Sequence, residues 1–244
     1  MKKIALILSI VLFSACAKNS ILIMPLPSFQ AEFKEISHSI DQAAYNYNLL
    51  QMQTKNEYSS YFEGSILKIR LDEELKLLAQ KLEEASVKLL LAKGYDLSKT
   101  KQYKLKENII VLIKEEFDRE KTDLLKGKQV SSNLSLELEF RASFNKVNDK
   151  NKIQTQTGVK TKLEPIAINY PIKSDEGIST FKESISSIPT QVNANLKEAV
   201  FDIDEVFRTF YYEALNSLNE NIKAKDSQAE AVRMQTQEGI IIFE

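Results

Sequence analysis

Side chains able to do chemistry are scarce in this chain. It has one cysteine, Cys16, and one histidine, His38. A zinc-type site built from imidazole and thiolate needs further members of either kind, and the sequence offers none. Cys–His nucleophilic chemistry would need a free thiolate at Cys16. Ser–His–Asp chemistry would have to use His38, and nothing around that residue supports it. His38 falls on the polar side of an amphipathic pattern and reads as a surface residue. The glycines stand singly, with no G-x-x-x-x-G-K-[ST] or G-x-G-x-x-G, and Gly127-Lys128 is followed by Gln129. Acid pairs occur at Glu73-Glu74, Glu83-Glu84, Glu115-Glu116 and Asp202/Asp204-Glu205. Paired carboxylates can do general acid–base work, but each pair lies in or beside a helical pattern, on the side read as facing solvent. The expectation is a chain with no catalytic residues, no metal and no cofactor.

Cys16 takes its meaning from what precedes it. Lys2 and Lys3 follow Met1, residues 4–13 form an uncharged apolar run, and Ser14, Ala15 and Cys16 close it. This is the order of an export signal: charged start, apolar stretch, small-residue cleavage site. Ten residues of helix reach about 15 Å, half of the ~30 Å hydrocarbon core, so the run is too short for a permanent span. Cleavage before Cys16 leaves it as the first mature residue, open to acylation. Ala15-Cys16-Ala17 also fits ordinary secretion with cleavage after Ala17, so that reading stands beside the first. A single cysteine can form no intramolecular disulfide, and acylation gives the leftover thiol a use. Several acyl chains are needed for a lasting anchor, because one holds only marginally.

Composition sets the remaining bounds. Loss of residues 1–15 removes two of the 33 basic side chains, leaving 31 against 34 acidic and a formal charge of −3. Such balance argues against nucleic acid as a partner. The organisation read from this is a signal peptide over 1–15, a lipidated N-terminus and tether over 16–27, and a single α+β domain over 28–244 with an N-terminal helix. In the tether, the apolar Ile21, Leu22, Ile23 and Met24 lie against the membrane surface or dock on the domain.

Periodicity supplies the elements. Phe29, Phe33, Ile36, Ile40, Ala43, Tyr47 and Leu50 repeat at spacings of four and three, which predicts a helix over 28–52 entered through Ser28. Leu71, Leu75, Leu78, Leu82, Ala85, Leu89 and Ala92 predict a second over 71–93, closed by Gly94; residues 66–70 are its first turns or a short strand. Residues 108–113 are apolar on both faces and predict a strand buried on both sides. Residues 114–128 are strongly charged and read as a loop, with room for one helical turn. Strict alternation over 134–144, then over 153–163, predicts a long hairpin whose second strand is an edge. Residues 166–170 add a short strand. Leu196, Val200, Ile203, Phe207, Phe210, Ala214, Leu218 and Ile222 predict a deeply packed helix over 194–222. Residues 240–243 read as a terminal strand on the sheet. The fold class is therefore α+β: an antiparallel or mixed sheet packed against long amphipathic helices.

Two surface features could bind. Lys99, Lys101, Lys104 and Lys106 form a basic stretch suited to anionic glycan or lipid headgroups, or simply a soluble loop. Phe207, Phe210, Tyr211 and Tyr212 could line a sugar site, although their helical spacing suits a core.

The run Lys2-Lys3, apolar stretch, Phe13-Ser14-Ala15-Cys16 resembles a bacterial lipobox, relaxed by Phe13 where that pattern usually has Leu. With the Lys-, Asn- and Ile-rich body, it resembles spirochaetal surface lipoproteins of the Borrelia type, and the mass of 27.9 kDa suits that group. The layout of long helix, Gly94-Tyr95, strands and closing amphipathic helix is also similar to the neuraminyllactose-binding, haemagglutinin-type lipoproteins. Both resemblances imply a non-enzymatic protein of the bacterial outer membrane, held by lipid on Cys16. An outer-surface, adhesin-like or antigenic protein contacting host or envelope protein or glycan is the first expectation. A periplasm-facing assembly lipoprotein is the second.

Overall fold

The computed structural model describes residues 21–33, 48–95, 103–123, 127–146, 153–172, 186–223, 234–237 and 239–243. Cys16 and His38 lie outside the described residues, as do Lys99 and Lys101.

The chain is α+β, built on a four-stranded sheet. Its strands are β3 (Asn48–Glu57), β4 (Tyr103–Asp123), β5 (Gly127–Lys146) and β6 (Ile153–Pro171), in that order across the sheet. β1 (Ile21–Ile23) and β2 (Ala31–Phe33) precede it in the chain. β3 runs parallel to β4, and the other neighbours are antiparallel. On β5 the even-numbered residues from Val130 to Phe144 are all buried and the odd-numbered ones are not, as strict alternation requires of a sheet covered on one face. β4 obeys the same rule: Leu105, Ile109, Val111 and Ile113 point inward, while Asn108, Ile110 and Leu112 stay half-exposed. The apolar run 108–113 is therefore covered on one face, not both. Its neighbours shield the outer side chains only in part.

Residues 114–123 continue β4 instead of forming a loop. Residues 116–122 are exposed on both faces, where water hydrates their charges, whereas Glu115 is buried. β6 forms the edge of the sheet, and residues 166–170 belong to that same strand. The register slips so that Ser135 faces both Glu164 and Pro165. A proline without an N–H is tolerated at such an edge bulge.

Among the described residues the α-helices are α1 (Ser60–Glu63), α2 (Ile66–Ala92) and α3 (Lys197–Asn221), the last entered through a 3-10 turn at Ala194–Leu196. Ser65 Oγ accepts from the Lys68 N–H at 3.2 Å and starts α2, so residues 66–70 are helix. Gly94, at φ 82°, ends it. Leu67, Leu78 and Leu82 of α2 and Phe207 and Phe210 of α3 are fully buried, each contributing roughly 1.5–3 kcal/mol by removal from water. Among the described residues no helix is long and apolar enough to cross a membrane.

The helix expected over 28–52 is not what the described part of that segment forms. Residues 31–33 are strand β2 and residues 48–57 are strand β3; 34–47 lie outside the described residues. Phe29-Gln30-Ala31-Glu32-Phe33 also satisfies a period of two, with Gln30 and Glu32 exposed between inward neighbours. A parallel partner, β9 (Ile240–Phe243), decides in favour of that period. β9 is a strand as expected, but it pairs with β2 and with β8 (Met234–Gln237), not with the main sheet. The Phe33 and Phe243 rings stack at 4.5 Å.

Candidate functional site

An open groove of about 610 Å³ runs between the 26–32 segment, one face of α2 and the side of Tyr211. Leu77, Lys81, Glu84, Ala85 and Lys88 supply the α2 wall. Their spacing of four, three, one and three keeps them on one helix face. The proline-bounded segment supplies the other wall, because Pro25 and Pro27 hold it extended. Phe29 and Tyr211 meet at 5.4 Å between centroids with their planes tilted by 49°. Both are buried, and burial pushes the Tyr211 hydroxyl well above its ordinary pKa, so it stays neutral. Burial pushes the Glu84 carboxyl up, but hydrogen bonds from Lys81 and Gln80, with the charges of Lys81 and Lys88, hold it below the usual carboxylate range. Lys81 Nζ lies 2.8 Å from Glu84 Oε2, and Gln80 Nε2 donates to Oε1 at 3.0 Å. The groove thus offers fixed polar groups beside an aromatic floor.

The extended wall is itself held by a buried charge cluster. Arg70 is 1% exposed, Glu74 0% and Asp204 8%. Arg70 Nη2 donates to both Asp204 carboxylate oxygens at 3.0 Å and to the Pro25 carbonyl at 2.9 Å. Nη1 donates to the carbonyls of Met24, at 2.7 Å, and Pro189, at 3.3 Å. Nε lies 2.5 Å from Glu74 Oε1, too poorly aligned for a good hydrogen bond. Burial, then the neighbouring Asp204 charge, pushes the Glu74 pKa up to about 9, outweighing the pull of Arg70. At neutral pH Glu74 is therefore protonated, and one carboxylate balances one guanidinium. Residues 21–27 are in this way stitched to the domain: β1 pairs with β7 (Gln191–Asn193), and the Met24 N–H donates to the Thr190 carbonyl at 2.8 Å.

A second buried carboxylate sits under α1. Ser59 donates from its N–H, at 3.0 Å, and its hydroxyl, at 2.6 Å, to Glu115 Oε2, while the Tyr170 hydroxyl donates to Oε1. Burial raises the Glu115 carboxyl, and the donors, Ser59 first, more than reverse this and leave it below its ordinary range. The same Glu115 contact adds to burial in raising Tyr170.

These clusters correct the reading of the acid pairs. Glu74, Glu115 and Asp204 are buried, whereas Glu116 and Glu205 face solvent. Glu74 lies three residues after Leu71 and four before Leu78; Asp204 lies four after Val200 and three before Phe207. Those spacings put both on the apolar stripes, and that was the legible sign. Glu74 and Asp204 do not line the groove, and Arg70 joins them to the carbonyls of Met24, Pro25 and Pro189, so the arrangement holds structure together. Phe207 and Phe210 are core, Tyr211 borders the groove and Tyr212 is partly exposed. Lys104 and Lys106 lie at the start of β4. Among the described residues no group of three or more His, Cys, Asp or Glu could hold a metal ion.

No protein-family model and no curated protein matches the chain. Among solved structures the chain is similar to a neuraminyllactose-binding hemagglutinin homolog from Helicobacter pylori. The identity is 13%, the match covers 79% of this chain and 91% of the other, and the TM-score is 0.35.

Proposed function

We propose that this is a lipid-anchored protein of the bacterial outer membrane that faces outward and binds a polar ligand without catalysis. The ligand is a segment of a host or envelope protein, or a glycan. Cys16 at the end of a signal-like leader supports the anchor. The observation that carries the binding reading is the groove, where Lys81, Glu84 and Lys88 stand over the Phe29–Tyr211 floor. Sugar rings and peptide backbones both use such a pairing of an apolar face with fixed donors and acceptors. The non-catalytic reading is supported by the partners of the groove's acid: Glu84 is held by Lys81 and Gln80, an arrangement that fixes charge in place.

Protease treatment of intact cells tests the outward face: loss of the protein supports display, and protection until lysis contradicts it. Binding of the purified protein to immobilised glycans and envelope extracts tests the groove. Lys81→Glu with Lys88→Glu should weaken it at least tenfold, since a charge-assisted hydrogen bond contributes about 1.5–3 kcal/mol. Unchanged binding by that double variant would remove the groove from the account.

The periplasm-facing assembly role has one observation in its favour. β3 is an edge of the main sheet, and among the described residues no strand pairs with its free side. Such an edge can accept an added strand from another envelope protein.

A further inference from the structure

The two-stranded ribbon of β1 and β7 is uncharged and greasy on its outer face. Ile21 stands opposite Asn193, and Ile23 opposite Gln191. Leu22 packs inward between them, while Ile21 is 52% and Ile23 79% exposed. Ile188 is also exposed, and its carbonyl accepts from the Gln191 N–H at 2.9 Å. No Asp, Glu, Lys or Arg occurs in residues 19–27 or 186–196, although 27% of the chain is charged. Nothing charged has to be dehydrated if this surface meets an apolar phase.

The ribbon is also fixed in direction. Arg70 binds carbonyls from both of its flanks, at Met24, Pro25 and Pro189, and ties them to Asp204 of α3. β1 starts only five residues after Cys16. At ~3.5 Å per residue that chain reaches about 18 Å at most.

We propose that this ribbon is the face the protein lays on the bilayer. With Cys16 acylated, Ile21, Ile23 and Ile188 rest at the boundary between headgroups and acyl chains, and the domain stands with this end down. The inference rests on the lipid-anchor reading above, and it adds an orientation to it. Apolar side chains flanking a lipid-modified terminus supply the second attachment that holds such a protein close to the surface. The α2 wall of the groove at Leu77–Lys88 lies about 10–27 Å further along α2 than Arg70, while its 26–32 wall follows the ribbon directly in the chain. The far end of the domain, where the Tyr95 hydroxyl donates to the Lys223 carbonyl at 2.9 Å, is roughly 35 Å from Arg70 along the same helix.

The chain has no tryptophan, so a single introduced indole reports alone. The test uses the full lipidated protein carrying Ile23→Trp, or Lys223→Trp as the far-end control, in phosphatidylcholine vesicles with and without brominated acyl chains. Flotation and intact mass first establish that the protein is acylated and bound. Ile23→Trp should then emit at shorter wavelength and lose intensity to bromine, while Lys223→Trp should do neither. Ile21→Trp repeats the measurement from the second outward position. Floating protein in which the Ile23→Trp and Ile21→Trp indoles escape bromine overturns the proposal and leaves the anchor intact. Equal quenching of Ile23→Trp and Lys223→Trp overturns the end-down pose. A blue shift without quenching, together with cross-linked dimers, assigns the face to a second copy of the chain and overturns the proposal. Protein that carries no acyl group and does not float overturns both readings.

Discussion

Glu74→Gln should not destabilise this protein at neutral pH, and this is an unusual expectation for a fully buried acid beside an arginine. Glu74 ionises near pH 4.5 in an unfolded chain and is raised to about 9 in the fold. At pH 7 the folded protein therefore holds a proton that the unfolded chain has released. Taking up that proton across roughly 2.5 pH units, at ~1.4 kcal/mol per unit, costs about 3 kcal/mol. Glutamine is neutral already, keeps an oxygen for Arg70 Nε and replaces the acid hydroxyl with an amide donor toward Asp204. The variant should match or exceed the wild type at pH 7, by up to about 3 kcal/mol. The sign of the pH dependence follows. A carboxyl raised in the fold contributes stability that is complete below its unfolded pKa and is lost as pH rises toward the folded one. The gap between variant and wild type should accordingly widen from pH 5 to pH 8.5 and close toward pH 4.5. Urea unfolding of the mature chain carrying Cys16→Ser, followed by circular dichroism at several pH values, reads this directly. A loss of 3 kcal/mol or more in Glu74→Gln at pH 7 would show that Arg70 and Glu74 form an ionised pair and that the charge assignment is wrong.

Arg70→Ala should behave in the opposite way. It strands Asp204 and three backbone carbonyls, so about 3–5 kcal/mol should be lost in the same urea assay, with new proteolytic cleavage near residue 24. Glu115→Gln should blunt acid sensitivity: the Glu115 carboxyl is lowered in the fold, so its contribution is present at neutral pH and lost as pH falls through its native pKa, and the wild-type midpoint should fall further than the variant's between pH 5 and 3. Gly158→Ala places a Cβ 2.7 Å from the Phe140 carbonyl oxygen of the neighbouring strand, which should cost about 1–3 kcal/mol through forced backbone shift.

The parts of the fold that were legible had one period only. Residues 134–144 alternate without exception and lie within β5; residues 196–222 repeat at four and three and span α3 with its flanking turn and cap. Residues 28–33 fit two periods, and the choice was made by β9, some two hundred residues further on. The charge of residues 114–123 suits a loop as well as a strand. Where both faces of a hairpin meet water, charge is compatible with strand. The groove could not be read from sequence. Phe29, Tyr211 and the Lys81–Lys88 face come from three distant segments, and their meeting depends on Arg70 seating residues 24–25. Glu74 and Asp204 could have been read, since their spacing places them among leucines and phenylalanines.

The central claim is the covalent anchor, and intact mass of the protein extracted from membranes of the producing cell tests it most directly. The account expects a mature chain that begins at Cys16, carries several fatty acyl groups, and loses both its acyl mass and its membrane partition in Cys16→Ser. A chain that begins downstream of Cys16, or retains residues 1–15, with no acyl mass would contradict it.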